Sequence, residues 1–176
     1  MRAIPVTLSV VLLLALSSCA SAEPTASLAD AKSLVQLVRN EAGARIADVT
    51  TAEIAVVDDV SEACADEGDD PDGRERRWRS TSLVTLDSAA GDSLETIYAD
   101  LINSFSANGW SEVTYGGGGA VELRKPESDA SLNFLAAAED ADAAAPATIS
   151  VTISSGCVQT QGATSDEVAT LEKAGS

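Results

Sequence analysis

Thr148-Ile149-Ser150-Val151-Thr152-Ile153-Ser154 alternates hydroxyl-bearing and β-branched apolar residues without a break. A period of two puts Ile149, Val151 and Ile153 on one face and Thr148, Ser150, Thr152 and Ser154 on the other. A strand buried on both faces would read apolar throughout. This segment therefore belongs to an antiparallel sheet with one face in water. Extended through residue 156, the same parity carries Cys157 to the apolar side.

Short strands are predicted just upstream, over 111–115, 120–125 and 130–136. The glycines of 116–119 join the first two as a hairpin, and Lys125-Pro126-Glu127-Ser128-Asp129 turns the next pair. Residues 136–146, rich in Ala and Asp, read as a low-complexity loop. Before these strands lies the clearest helix, 92–108. Leu94, Ile97, Tyr98, Leu101, Ile102 and Phe105 form one apolar stripe, Asp92 with Glu95 resembles a capping box, and Asn108-Gly109 stops it. Earlier still, a strand over 76–86 sets Trp78, Val84 and Leu86 against Arg77, Arg79 and Thr81. Another, over 50–58, shows Ala52, Ile54 and Val56 on one face. A first helix spans 28–43, capped by Ser27 and ended by Gly43. After 161 the chain is a polar, flexible tail with a helical turn or more near 165–173.

The order is helix, two strands, helix, four strands. Its economical packing is α+β: two helices on one face of an antiparallel sheet of about five to six strands. Residues 28–161 form a single domain and 162–176 the tail.

Composition narrows function. The 176 residues carry 28 Asp plus Glu, 11 Lys plus Arg and no histidine, for a formal charge of −17. No Ser-His-Asp triad, Cys-His pair or His-ligated metal is available. The acidity argues against nucleic acid and against anionic headgroups. Aromatics are only 3% and alanine fills 31 positions, so the core is modest.

The N-terminus carries an address. Arg2 is followed by an apolar run over 6–16, shorter than the ~20 residues that span a bilayer and of signal-peptide length. It ends in Leu16-Ser17-Ser18-Cys19, which resembles the bacterial lipoprotein lipobox. The resemblance implies that residues 1–18 are removed and that Cys19 carries a diacylglycerol. Residues 19–27 would then form the attachment point and a flexible tether. Two or three acyl chains hold a protein stably on a membrane, where one chain is marginal. The implied location is the extracytoplasmic face of the cell membrane. The bland reading is a secretory signal cut after Ala20-Ser21-Ala22, which also exports the protein. Loss of residues 1–18 removes one base and no acid, leaving a formal −18.

Lipidation of Cys19 leaves Cys64 and Cys157 in an oxidising compartment, where they are expected to form a disulfide. Closing a loop of about a hundred residues is worth ~4–5 kcal/mol in the chain-entropy model. A redox pair lacks a C-x-x-C spacing, and zinc would lack two ligands.

Three features invite a functional reading beside a bland one. The first is the segment 58–72, with eight acids and no base. Its Asp66, Asp69, Asp70 and Asp72 are candidate calcium ligands, but the EF-hand spacing fails and a solvated loop is the default. The second is the only basic cluster, Arg74, Arg76, Arg77 and Arg79 with Trp78, of which Arg76-Arg77-Trp78-Arg79 is the candidate partner-binding stretch. Arginine beside tryptophan is hot-spot chemistry for a protein partner; the bland reading pairs the arginines with the acidic segment before them. The third is the glycine run at 116–119, which no Gly-Lys-Ser/Thr follows and which reads as a turn rather than a phosphate loop. No S-x-x-K dyad occurs. Two carboxylates of a hydrolase would have to converge in space, with few aromatics to stack a sugar.

A helix ending in Gly109-Trp110, strands after it, and Ser155-Gly156-Cys157 facing an earlier Cys64 are similar to small secreted or lipid-anchored domains of actinomycetes. The Arg-over-Lys, Ala-rich usage agrees. Together these features lead to one expectation: a lipid-anchored envelope protein that binds another envelope protein, without catalysis, cofactor or nucleic acid. The alternatives are a lipoprotein binding calcium or a small ligand through 58–72, and a carboxylate hydrolase.

Overall fold

A computed structural model of the chain describes residues 26–87, 93–113, 120–125, 128–137 and 147–174. The signal segment, Cys19, the Ala20-Ser21-Ala22 site, Asp92, the glycines of 116–119 and the loop beyond residue 137 lie outside the described residues, as does most of the tether.

Among the described residues seven strands form one antiparallel sheet in the order β1-β2-β6-β5-β4-β3, with β7 pairing the start of β2. They are β1 (Ala52–Ala63), β2 (Glu75–Leu86), β3 (Ser111–Val113), β4 (Ala120–Arg124), β5 (Ser131–Ala137), β6 (Thr148–Ser154) and β7 (Val158–Gln159). Among the described residues three helices accompany them: α1 (Leu28–Val49), α2 (Leu94–Ser106) and α3 (Asp166–Lys173). The α+β class is therefore as the alternation of 148–154 predicts. Ile149, Val151 and Ile153 are buried under the helices, while Thr148, Ser150 and Thr152 are half-exposed on the opposite face.

Helix α1 extends six residues beyond the predicted stop at Gly43. Ile46 is 2% exposed and Val49 packs on the core. Burying a side chain of that size returns ~1.5–3 kcal/mol, more than the ~1 kcal/mol that a mid-helix glycine costs. Its start is as read: Ser27 caps it, and Asp30 completes a capping box by accepting from the Ser27 backbone at 3.0 Å. Helix α2 is capped by Ser93, whose hydroxyl accepts from the Thr96 N–H, one residue later than the predicted Asp92. Its stripe buries Ile97, Leu101 and Phe105. Phe105 meets Trp110 edge-on, with ring centroids 5.9 Å apart, and lies 5.3 Å from Phe134.

Strand β1 continues to Ala63, where the charge run over 58–63 had suggested a loop. Those acids sit in ladder positions opposite β2: Asp58 faces Thr81, Asp59 faces Ser80 and Glu62 faces Arg77. A register shift between Val56 and Asp58 inserts Val57 and reverses the parity of everything after it. Ala52, Ile54 and Val56 thus point to the helix side, and after the bulge Asp59 and Ser61 do so.

Two further expectations are corrected. Strand β6 ends at Ser154, and the chain turns out of the ladder with the Ser155 N–H donating to the Trp78 carbonyl at 3.0 Å. Strand parity therefore no longer governs Cys157, which is exposed rather than buried. The segment 162–173 is not a loose tail in its entirety. Helix α3 buries Val168, and the Lys32 ammonium of α1 donates to the Leu171 carbonyl at 2.5 Å. Among the described residues all three helices lie on one face of the sheet, and no helix covers the other.

Candidate functional site

The Arg-Trp strand divides between the two faces of β2, because alternate residues point opposite ways. Arg76 and Trp78 face the helices and are buried. The Arg76 guanidinium donates through Nε to the Ser61 hydroxyl and through Nη2 to the Ser61 carbonyl at 2.9 Å. Trp78 is fully buried; the Lys32 ammonium stands 4.6 Å from its ring centroid and its indole N–H donates to Asp59. An Arg-Trp surface pair does not form here, since the tryptophan is a core residue.

Arg77 and Arg79 remain on the open face, paired as the bland reading had it, though by acids of β1 rather than of the loop. The Glu62 carboxylate accepts from both, one oxygen at 2.6 Å from Arg77 Nε and the other at 2.6 Å from Arg79 Nε. Asp58 accepts from Arg79 Nη2. These side chains are roughly one-third exposed, so the four-residue network is worth little stability in water. It gives the open face a fixed patch of alternating charge. Beside it, Val57 is 60%, Leu83 37% and Leu135 47% exposed, and Thr81 and Thr152 share a hydroxyl hydrogen bond at 3.2 Å. Leu83 and Leu135 both lie opposite Ser150, so they line up across β2, β6 and β5.

Residues 66–72 make a turn tied to the domain by backbone contacts. Asp66 accepts from the N–H groups of Asp69 and Asp70, and Asp70 accepts through its side chain from Glu75 N–H at 2.7 Å. The N–H groups of Arg74 and Glu75 hold the Asp70 carboxyl below its ordinary value of 3.8. Asp72 pairs with Arg74 at 3.0 Å. Asp66, Asp69, Asp70 and Asp72 do not converge: among the described residues no three acidic or sulfur side chains gather as a hard cation requires.

The disulfide is present. Cys64 and Cys157 are bonded across 93 residues, with Cα atoms 6.2 Å apart. It fastens the end of β1 to the segment between β6 and β7, beside the turn that carries the acids.

One group went unread in the sequence. Asp59, its side chain 7% exposed, accepts from Trp78 Nε1 and from Arg39 Nη1 at 3.2 Å, and Arg39 also donates to Ser80 at 3.2 Å. The bulge after Val56 hides this arrangement, since without it Asp59 would be assigned to the open face. Beside this network, between α1 and the strands β1, β2 and β6, lies a cavity of about 280 Å³.

Comparison of the chain with protein-family models, with curated proteins and with solved structures finds no match.

Proposed function

We propose that this chain is an exported lipoprotein, held on the outer face of the cell membrane by Cys19, whose folded domain acts by binding rather than by chemistry. The observation that carries the reading is the Cys64–Cys157 bond. Structural disulfides persist in compartments outside the cytosol. With those two thiols consumed, the third cysteine is Cys19, which closes Leu16-Ser17-Ser18-Cys19 at the end of an apolar run.

The contact surface we assign is the open face of the sheet. It presents an apolar row, Leu83 and Leu135, next to the Arg77–Glu62–Arg79–Asp58 network. Apolar area beside oriented charge is how a protein interface combines burial with register. The partner is a second envelope protein. Fractionation of cells tests the address: the wild-type chain is expected in the membrane fraction, and Cys19→Ala in the soluble fraction or retained with its signal segment. Crosslinking in intact cells tests the surface. Arg77→Glu with Arg79→Glu should lose a partner that wild type captures, and equal capture by both would sink the assignment.

A further inference from the structure

We infer that the first half of the β1 edge pairs with the same stretch of a second copy of this chain, antiparallel and centred on Ile54. Strand β1 ends the sheet, and among the described residues it pairs with β2 alone. The Asp87 N–H donates to the Thr51 carbonyl at 3.2 Å, and the Leu86 N–H donates to the Ala147 carbonyl on the other side of β2 at 2.9 Å. Antiparallel ladders alternate residue by residue, so Glu53 and Ala55 turn their main-chain groups toward β2. Ala52, Ile54 and Val56 turn theirs outward. Beyond the bulge the edge is guarded, because the outward N–H of Ser61 donates to the Glu172 carboxylate of α3 at 3.4 Å. Over 52–57 no described strand continues the ladder. Natural sheets blunt such an edge with lysine or proline. Residues 50–57 contain neither, and Ile54, Val56 and Val57 are 39%, 51% and 60% exposed.

Charge selects the occupant and the register. Centred on Ile54, the two copies exchange main-chain hydrogen bonds at Ile54 with Ile54, and at Ala52 with Val56 on either side. All three outward residues are then used. Glu53, the one charge in 52–57, comes opposite Ala55 of the other copy, and Asp58 comes opposite Thr50, so no two acids face each other. Centring on Val56 would set Glu53 against Asp59, and centring on Ala52 would leave Val56 without a strand partner. The other acids of β1, Asp58, Asp59 and Glu62, already meet arginines of their own chain. A basic strand from another protein would therefore find only Glu53 to answer it. The formal −17 acts on the pair mainly from a distance, where salt screens it. The two-fold axis stands perpendicular to the sheet, so the open faces of the two copies join into one. The pair needs neither the anchor nor a partner on the open face, so its failure leaves the proposed function standing.

The test is analytical sedimentation of the full chain, disulfide intact, with crosslinking to fix the register. A dimer that dissociates on dilution is expected. Ile54→Pro leaves the ladder to β2 whole, because that N–H points outward, but it removes both central donors and should weaken the dimer about tenfold or more. Ile54→Lys, at a half-exposed position that folding tolerates, sets two cations opposite each other and should do the same. Directly opposite Cα atoms in such a pair stand about 5.5 Å apart, within disulfide reach. Ile54→Cys should therefore oxidise to a dimer joined at residue 54, which mass spectrometry of the linked peptides reads. A chain that stays monomeric up to about 1 mM, a dimer unchanged by both Ile54→Pro and Ile54→Lys, or Ile54→Cys joined to a protein of another mass would overturn the pairing.

Discussion

The Asp59 carboxylate accepts the indole N–H of Trp78 from the neighbouring strand, inside the core. This contact decides how the basic cluster is used. A tryptophan whose N–H is satisfied by a buried acid stabilises the sheet, and only the alternate residues Arg77 and Arg79 of the cluster are left on the open face.

Asp59→Ala should destabilise the domain by about 3 kcal/mol. It orphans Trp78 Nε1, at ~1–3 kcal/mol for a neutral group, and leaves Arg39 without its counter-charge, where buried pairs cost ~3–5 kcal/mol. Arg39 is about one-quarter exposed, which holds the sum near the lower figure. Urea unfolding measures it. A loss under about 1 kcal/mol would show that water replaces both partners without cost.

Removal of the disulfide by Cys64→Ser with Cys157→Ser should cost about 2–5 kcal/mol, because the bond closes 93 residues of the unfolded chain. Equilibrium unfolding with and without reductant checks this. Reductant should lower the Tm of wild type and leave the double variant unchanged.

The sequence was legible where period and burial agree. Residues 148–153 alternate because one face packs under α1 and the other meets water, while Ser154, read onto the wet face, is buried at the strand end; the stripe from Leu94 to Phe105 is legible for the same reason. It was misread where a local signal was outweighed by packing. Gly43 resembles a helix stop until Ile46 is seen buried beyond it. Asp58, Asp59 and Glu62 resemble a solvated run until their partners Arg79, Arg39 and Arg77 are placed, and those partners lie 15–21 residues away in sequence. The Asp59 network was not legible, because it depends on a one-residue bulge that no residue type announces. The cavity depends on the distance between a helix and a strand edge, which a one-dimensional pattern does not carry.

Gly43→Ala should raise stability by up to about 1 kcal/mol, since the position is helical and the new methyl meets only Ile54 at ordinary contact distance. Thermal melting reads it. A lower Tm would mean that α1 lies closer to the β1 edge than this packing places it.

Acid should remove a small, specific contribution at Asp70. Its carboxyl is held below the ordinary 3.8 by the N–H groups of Arg74 and Glu75. A group with a lowered folded value stabilises fully above the unfolded value, and this is lost as pH falls through the folded one. The Tm difference between wild type and Asp70→Asn should therefore be constant near neutrality and shrink below about pH 3.8. A difference that persists undiminished at about pH 2 would assign the effect to something other than the carboxylate charge.

The proposed export and anchoring are tested together by the intact mass of the protein extracted from the cells that make it. The predicted result is a chain beginning at Cys19, bearing a diacylglyceryl group, with Cys64 and Cys157 oxidised. A soluble chain beginning at Glu23, or an unprocessed chain beginning at Met1 with three free thiols, would contradict it.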